Sequence, residues 1–214
     1  MMSTVVRKWI VGLSGLALVG FLVGHMAGNV LIYKEGAMNA YAKGLHEIAL
    51  LPLIEIALLL MFILHIGLVI GHVLQSNKAR GPSTYNVSAS KRKEGGMFEL
   101  ISAKAMAISG IIVLAFLVVH ILDFRLQREE IEGVAGGVEA YTKTTLAVGR
   151  KAILYAVASL LVGWHIFRGI QSGFRSIGFY HAKYTPVIHK AGRALSVIVG
   201  LGFASIPLWI LFTQ

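Results

Sequence analysis

Residues 116–124, FLVVHILDF, place His120 inside a run of side chains otherwise suited only to an apolar environment. Three further histidines, His25, His65 and His165, lie in apolar runs of the same kind. A polar side chain at membrane depth is energetically unfavourable and usually faces the interior of a helical bundle for a functional reason. The positions of these four histidines therefore guide the prediction of both fold and function.

The composition places the chain in the membrane class of proteins. Of its 214 residues 56% are hydrophobic and 14% are charged, and the mean hydropathy is +0.73. The net charge of +10 does not indicate nucleic-acid binding, because the charges lie in short segments between apolar runs. The chain has no cysteine, which excludes iron–sulfur clusters, thiolate catalysis, disulfides and c-type haem within it.

Five apolar stretches are long enough to cross a bilayer, whose apolar core of about 30 Å needs roughly 20 helical residues. They cover about residues 9–33, 51–75, 100–122, 151–171 and 194–212. Backbone groups in lipid must be hydrogen-bonded internally, so each stretch is expected to be a helix. We expect an all-α integral membrane bundle of five transmembrane helices, with residues 1–214 as a single membrane domain. The first apolar run is interpreted as a retained helix rather than a cleaved signal peptide.

Lysine and arginine are divided unequally between the two faces of this predicted bundle. The N-terminus and the second-to-third and fourth-to-fifth connections carry a large excess of cations. The charges of the other two connections cancel. The positive-inside rule then predicts that the N-terminus faces the cytoplasm and the C-terminus faces outside.

The four histidines lie one on each of the first four spans, at two depths. With a rise of about 1.5 Å per residue, His25 and His120 lie about 24 Å from the cytoplasmic ends of their spans, His65 about 15 Å and His165 about 10 Å. Two facing pairs of imidazoles suit two six-coordinate b-type haems between helices one to four: an outer haem with His25 and His120 as axial ligands, and an inner haem with His65 and His165. The alternative is that each histidine is only hydrogen-bonded to a neighbouring helix. The recurrence of a histidine on four successive helices favours the haem hypothesis.

Other residues are candidates for contacts with the haems. Glycines near the histidines would let a flat porphyrin approach the helices, although they are also common at helix contacts: Gly20, Gly24, Gly28, Gly67, Gly71, Gly163 and Gly169. Side chains that could contact the haem propionates are His72, Arg168, Lys8, Lys104 and Arg175 on the inner side, and Arg125 and Arg128 on the outer side. Anchoring of the cations at lipid headgroups is the alternative.

A quinone site is expected near the outer haem, because a quinone needs hydrogen-bond donors and a proton route close to an electron carrier. The candidates on that side are Glu55, Asn29, Tyr33, His46 and Glu47. Glu55 lies about 15 Å from His65 along its helix, and an acid at membrane depth is usually functional or paired. The alternative for Glu55 is an interfacial position, either paired with Lys43 or hydrated among the lipid headgroups.

Four stretches carry a resemblance to a known family. They are KWIVGLSGLALVGFLVGHMAGNVLIY around His25, LIEIALLLMFILHIG around His65, SGIIVLAFLVVHIL around His120, and WHIFRGIQSGFRSIG around His165. In these stretches, which cover spans one to four, the chain resembles the cytochrome b membrane-anchor subunit of succinate dehydrogenase and fumarate reductase, of the kind with one polypeptide and two haems. Many relatives carry a second histidine where this chain has Arg168.

The resemblance implies that the chain is the electron-transfer and quinone-reactive subunit of respiratory complex II or of a fumarate reductase, with no succinate chemistry of its own. It implies a flavoprotein and an iron–sulfur subunit on the cytoplasmic face. Electrons would pass through two haem b groups to a membrane quinone, and many two-haem members use menaquinone. The expected location is the bacterial cytoplasmic (inner) membrane, as a multi-pass protein surrounded by lipid.

Two other functions are compatible with intramembrane histidines. One is a cytochrome b anchor of another membrane dehydrogenase, such as a hydrogenase or formate dehydrogenase; the pattern of one histidine per helix favours the first family. The other is a transporter that uses histidines as proton relays, which predicts no haem. Internal repeats would favour a transporter, and the two halves of the four-helix core show only a loose similarity.

Overall fold

The computed structural model describes residues 3–80 and 103–213, and within these ranges every regular element is helical. The elements are α1 (Thr4–Asn29), α2 (Ala37–His46), α3 (Leu51–Arg80), α4 (Ala103–His120), α5 (Arg128–Gly133), α6 (Gly137–Ala147), α7 (Gly149–Ser176) and α8 (Thr185–Thr213). A 3₁₀ turn at Val30–Tyr33 extends α1, and a π-helical turn at Ile121–Arg125 extends α4. The predicted all-α fold is confirmed for the residues described.

Five of these helices are long and apolar enough to cross a membrane, which confirms the predicted number of spans. They are Thr4–Tyr33, Leu51–Gln75, Met106–Arg125, Gly149–Ser176 and Thr185–Thr213. The second span has the predicted bounds, whereas the last two are longer than predicted because helical backbone continues into polar residues at their ends. The predicted beginning of the third span, at residue 100, lies outside the described residues. The short helices α2, α5 and α6 lie in connections, where the hydropathy pattern does not predict them.

The direction of the helices defines two faces of the bundle. Gly71, near the end of α3, lies beside Arg7, near the beginning of α1. Tyr33, just after α1, hydrogen-bonds Ser205, near the end of α8. We call the face at which α1 begins the N-side, and the opposite face the far side.

Helix α7 lies at the centre of the bundle. It packs along α8 and against α1 and α4, while α3 packs against α1. Helices α7 and α8 approach each other closely at Gly163, where an added Cβ would lie 2.8 Å from the carbonyl oxygen of Ser196 and 2.9 Å from Cα of Gly200. Small residues let membrane helices approach this closely. Gly163 therefore belongs to the contact between α7 and α8, not to the porphyrin approach that its position beside His165 suggests.

Helices α2 and α6 are joined on the far side by reciprocal hydrogen bonds. The backbone N–H of Gly36 donates to Oε2 of Glu139 at 2.9 Å, and the N–H of Glu139 donates to Oδ1 of Asn39 at 2.9 Å. Asn39 Nδ2 in turn donates to the carbonyl oxygen of Gly136 at 2.8 Å. Gly36 and Gly136 have φ values of 72° and 92°, a left-handed conformation that favours glycine. These bonds tie the first half of the chain to the second.

Candidate functional site

The first two histidines of the site, His25 on α1 and His120 on α4, face each other across the bundle. Their ring centroids are 5.7 Å apart and their planes make an angle of 81°. Phe203 of α8 lies 5.6 Å from the His25 ring, while Phe124 and Tyr155 lie 5.3 Å and 6.0 Å from the His120 ring. Aromatic side chains from three elements thus enclose these two imidazoles, which we call the facing pair.

The two rings of the facing pair differ in the surroundings of Nδ1. Asn29, one turn after His25, places Nδ2 at 3.4 Å from Nδ1 of His25 and donates to the His25 carbonyl oxygen at 2.8 Å. Nδ1 of His120 is buried and has no hydrogen-bond partner among the residues that the structure describes. Buried polar atoms without a partner are rare in proteins, and one reason to retain them is a role in redox chemistry or catalysis.

The other two histidines, His65 on α3 and His165 on α7, are each held by a serine of a neighbouring helix. Oγ of Ser14, on α1, lies 3.1 Å from Nδ1 of His65, and Oγ of Ser109, on α4, lies 3.0 Å from Nδ1 of His165. We call His65 and His165 the serine-bound pair.

A glycine lies against each ring of the serine-bound pair. A Cβ added to Gly15 would lie 3.1 Å from Cε1 of His65, and one added to Gly110 would lie 3.3 Å from Cε1 of His165. Both distances are tighter than ordinary van der Waals contact, so neither position accommodates a methyl group without movement of the imidazole. The two imidazoles can therefore lie this close to the helix backbone only because these two positions are glycines.

The positions of the two serines show that the two histidine pairs lie at different levels along the membrane normal. Ser14 and Ser109 each precede the facing-pair histidine of their own helix by 11 residues. That spacing corresponds to about 16 Å of helix. Since each serine contacts one histidine of the serine-bound pair, that pair lies at a level nearer the N-side and the facing pair at a level nearer the far side.

The site is built twice, once by α1 and α3 and once by α4 and α7. The similarity between the two halves, loose when whole stretches are compared, is close at the site. Equivalent residues are Ser14 and Ser109, Gly15 and Gly110, Phe21 and Phe116, and His25 and His120, each 95 apart, and His65 and His165, 100 apart. The two serines are not among the residues predicted from the sequence. The signal that could have revealed them is the dipeptide Ser-Gly at the same distance before two histidines.

The repeat extends to the far side of the bundle. Gly36, Tyr41 and Lys43 have counterparts in Gly136, Tyr141 and Lys143. The ring of Tyr41 packs on Gly28, and the hydroxyl of Tyr141 donates to the carbonyl oxygen of Asp123, the residue equivalent to Gly28. The equivalent tyrosines Tyr41 and Tyr141 thus contact equivalent positions, Gly28 and Asp123, although the contacts differ in kind.

Glu55 forms an ion pair with Arg125 at 2.7 Å, on the far side of the bundle. The side chain of Glu55 is 35% exposed and that of Arg125 is 51% exposed. Arg125 lies in the π-helical turn after His120, so this ion pair lies close to the level of the facing pair. Glu55 thus pairs with Arg125 rather than with Lys43, and Arg125, a candidate propionate contact, is engaged by a carboxylate.

Asp123 in the same π-helical turn organises a second polar cluster. Its carboxylate accepts hydrogen bonds from Nζ of Lys151 at 2.7 Å and from the hydroxyl of Tyr155 at 2.9 Å. The ring of Tyr155 also contacts the ring of His120. Single π-helical turns occur frequently at functional sites, and this one aims Asp123 at α7 while Arg125 reaches α3. Tyr155 is not among the residues predicted from the sequence.

The remaining candidates for the quinone site do not contact a common group. The hydroxyl of Tyr33 hydrogen-bonds Oγ of Ser205 at 2.7 Å, and its ring packs against Trp209 of α8. His46 and Glu47, at the end of α2, are exposed. The structure thus engages Asn29, Tyr33 and Glu55 in three separate contacts.

The structure adds one residue to the cationic candidates for propionate contacts on the N-side. Nε of Arg7 is buried and has no hydrogen-bond partner within residues 3–80 and 103–213. Arg7 precedes Ser14 by seven residues, two turns along one face of α1, so it is a candidate partner for an anionic group near the serine-bound pair. His72 is exposed and Arg168 is partly buried. Lys104 lies outside the residues whose side chains are described.

Comparison of the chain with protein-family models, with curated proteins and with solved structures found no match.

Proposed function

We propose that the chain is a two-haem cytochrome b that anchors a succinate dehydrogenase or fumarate reductase in the membrane. In this function it passes electrons between an iron–sulfur subunit and a quinone. The observation that carries the proposal is the arrangement of four histidines as two pairs at two levels of one helical bundle. The facing pair would hold one haem b, and the serine-bound pair would hold the other.

The residues present fit haem at both levels. Imidazole nitrogen is a common axial ligand of haem iron, and in the serine-bound pair a hydrogen bond engages Nδ1 and leaves Nε2 for the iron. In the facing pair, two rings from different helices point at one another and Nδ1 of His120 has no partner among the described residues. A Cβ added to Gly20, Gly24 or Gly67 would meet no atom within 4 Å, which leaves room beside α1 and α3.

When bound, the two haems supply one-electron carriers at two depths of the membrane. The protein supplies orientation and an apolar environment. Serine hydroxyls hold one pair of rings, and the rings of Phe203, Phe124 and Tyr155 pack against the other pair. A bundle that holds ligands at two levels suits electron transfer from one membrane face toward the other.

The N-side is the face that we assign to the cytoplasm. Residues 168–193 contain five lysines and arginines and no acid, and Arg7 and Lys8 lie at the same face. The positive-inside rule favours this orientation, which corresponds to a multi-pass protein of the bacterial cytoplasmic membrane. This basic face would bind the iron–sulfur subunit, which in turn carries the flavoprotein that interconverts succinate and fumarate.

The quinone, which is menaquinone in many two-haem members of the resembling family, would react near the facing pair. Interconversion of quinone and quinol moves two electrons and two protons, so the site needs a group that exchanges protons. Glu55 is an acid near that level, and its partner Arg125 belongs to the turn that follows His120. We assign proton exchange with the quinone oxygen to Glu55.

The test is a reduced-minus-oxidised optical spectrum of the purified full chain, combined with a pyridine-haemochrome assay. The expected result is two haem b per chain, and a colourless preparation from haem-replete cells would contradict the proposal. Copurification identifies the partner. A flavin-bearing partner supports the succinate or fumarate function, whereas a nickel- or molybdenum-bearing partner would replace it with a hydrogenase or formate dehydrogenase.

The repeat favours a second candidate function, a proton-coupled transporter with intramembrane histidines, because repeated halves are common in transporters. The same spectrum separates the two functions, since the transporter predicts no haem. A haem-free chain that moves protons together with a solute in sealed vesicles would establish the second candidate.

A further inference from the structure

The hydroxyls of Ser14 and Ser109 each make two contacts that constrain one another. Oγ of Ser14 donates to the carbonyl oxygen of Val11 at 3.1 Å while lying 3.1 Å from Nδ1 of His65. Oγ of Ser109 donates to the carbonyl oxygen of Met106 at 2.9 Å. A hydroxyl has one proton and two lone pairs. Once the proton is given to the carbonyl, the oxygen can only accept from the imidazole.

This constraint determines which ring nitrogen carries the proton. The two contacts of each serine are satisfied together only if Nδ1 of the histidine is protonated and donates to Oγ. A neutral imidazole has one N–H, so Nε2 is then the nitrogen with a free lone pair. The same reasoning applies to His165, where Nδ1 lies 3.0 Å from Oγ of Ser109.

We infer that Ser14 and Ser109 are positioning residues that fix the tautomer of His65 and His165 and present Nε2 to haem iron. This inference rests on the proposed function, which supplies the iron. Gly15 and Gly110, each next to one of the serines, complete the arrangement because they let the ring approach the helix backbone. Hydrogen bonds from the second nitrogen of a ligating histidine set its orientation and its basicity.

The arrangement occurs twice, which supports a role beyond chance packing. In both halves the serine lies on one helix, the histidine on the next long helix of that half, and the serine proton goes to the carbonyl three residues earlier. The facing pair has no hydroxyl equivalent: Nδ1 of His120 lacks a partner among the described residues, and Nδ1 of His25 lies 3.4 Å from Nδ2 of Asn29, an amide nitrogen that cannot accept a hydrogen bond. The two haems therefore differ in ligand basicity. Donation from Nδ1–H to oxygen places more electron density on Nε2, stabilises the oxidised iron and lowers the reduction potential of the serine-bound haem.

The test compares Ser14→Ala, Ser109→Ala and the double variant in the purified complex by potentiometric titration of the two haem absorption bands. The expected result is an upward shift in the potential of one haem, larger in the double variant, with the other haem unmoved and two haems per chain retained. Electron paramagnetic resonance of the oxidised protein should show a changed low-spin signal for the same haem. A His65→Ala variant identifies which band belongs to which pair.

The matched control is Ser196→Ala. Ser196 is buried on α8 and its hydroxyl donates to the carbonyl of Arg193, also three residues earlier. Removal of its hydroxyl should leave both potentials unchanged. Unmoved potentials in folded Ser14→Ala and Ser109→Ala proteins, or equal shifts in Ser196→Ala, would overturn the inference while the two-haem function stands. A wild-type protein without haem would instead remove the proposed function.

The threonine variants decide the outcome if an alanine variant loses haem. Ser14→Thr and Ser109→Thr retain the hydroxyl, so they should hold two haems at the wild-type potentials. Loss of one haem in the alanine variant with recovery in the threonine variant supports the inference. Threonine variants that shift or lose the haem as the alanine variants do would contradict it.

Discussion

The imidazoles of the facing pair and those of the serine-bound pair are held in the bundle by different contacts. Aromatic rings surround the facing pair, whose two histidines contact each other directly. The serine-bound pair is fixed by hydroxyls at Nδ1 and by glycine backbone beneath the rings. Two pairs of the same side chain are therefore made unequal by the groups that each imidazole contacts. Unequal sites suit electron carriers that work in series.

Helices α1 and α4 contribute to both levels, which links the two sites. Each carries one histidine of the facing pair and, 11 residues earlier, the serine that holds a histidine of the other pair. Helices α3 and α7 each carry one histidine of the serine-bound pair and none of the facing pair. Substitutions at the two levels of α1 should therefore affect different haems, and this separation can be tested.

On the proposed two-haem function, the largest expected effect is the loss of one haem at a time. His120→Ala should remove the facing-pair haem, and His165→Ala should remove the serine-bound haem, because each leaves one iron without an axial ligand. A pyridine-haemochrome assay of each purified variant should give one haem b per chain. His46→Ala, at an exposed position on α2, should retain two. Loss of both haems from each single variant would show that the two levels are not independent.

The next largest effect is expected on quinone chemistry. Glu55→Gln removes a proton-exchanging group near the facing pair and should slow quinone turnover by about 100-fold, the lower range for removal of a general acid or base. The haem spectrum should be intact. Steady-state quinol oxidation or quinone reduction measures the effect. Glu129→Gln, an equal charge change at an exposed position on α5, is the control. Unaltered turnover in Glu55→Gln would exclude Glu55 from the proton route.

A smaller effect is expected where a methyl group meets an imidazole. Gly15→Ala places a Cβ at 3.1 Å from Cε1 of His65, so the ring must move by a few tenths of an ångström. Overpacking of this kind costs about 1–3 kcal/mol. The serine-bound haem should therefore be lost faster during dilution against a haem-binding apoprotein, followed optically. Gly44→Ala on α2, where a Cβ meets nothing within 4 Å, should behave as wild type. Faster loss of the facing-pair haem instead would contradict the assignment of levels.

The sequence predicts the bundle well because hydropathy is a property of the chain itself. A run such as residues 51–75 needs no tertiary information to be recognised as a span, and the structure gives Leu51–Gln75. The four histidines stand out for the same reason, since each interrupts an apolar run. Their assignment as haem ligands remains a prediction.

The partners of the histidines depend on tertiary contacts that hydropathy does not encode. Ser14 and Ser109 are ordinary residues within apolar helices, where serine satisfies its hydroxyl by bonding to a carbonyl of its own helix. Only the repeat distinguishes them. The turn after His120 is a further case: FLVVHILDF reads as uninterrupted helix, yet its end is π-helical and turns Asp123 toward Tyr155.

The smallest effect is expected at the π-helical turn Ile121–Arg125. This turn adjoins the facing pair and has no counterpart beside the serine-bound pair among the described residues. Tyr155→Phe removes a hydrogen bond to a carboxylate and should lower the free energy of unfolding by about 2 kcal/mol, whereas Tyr141→Phe removes a bond to a backbone carbonyl and should lower it by about 1 kcal/mol. Denaturant unfolding in detergent measures both. Lys151 remains bonded to Asp123 in either variant, at 2.7 Å. If the two variants are equally stable, Lys151 alone satisfies the carboxylate, and the hydroxyl of Tyr155 contributes no more than that of Tyr141.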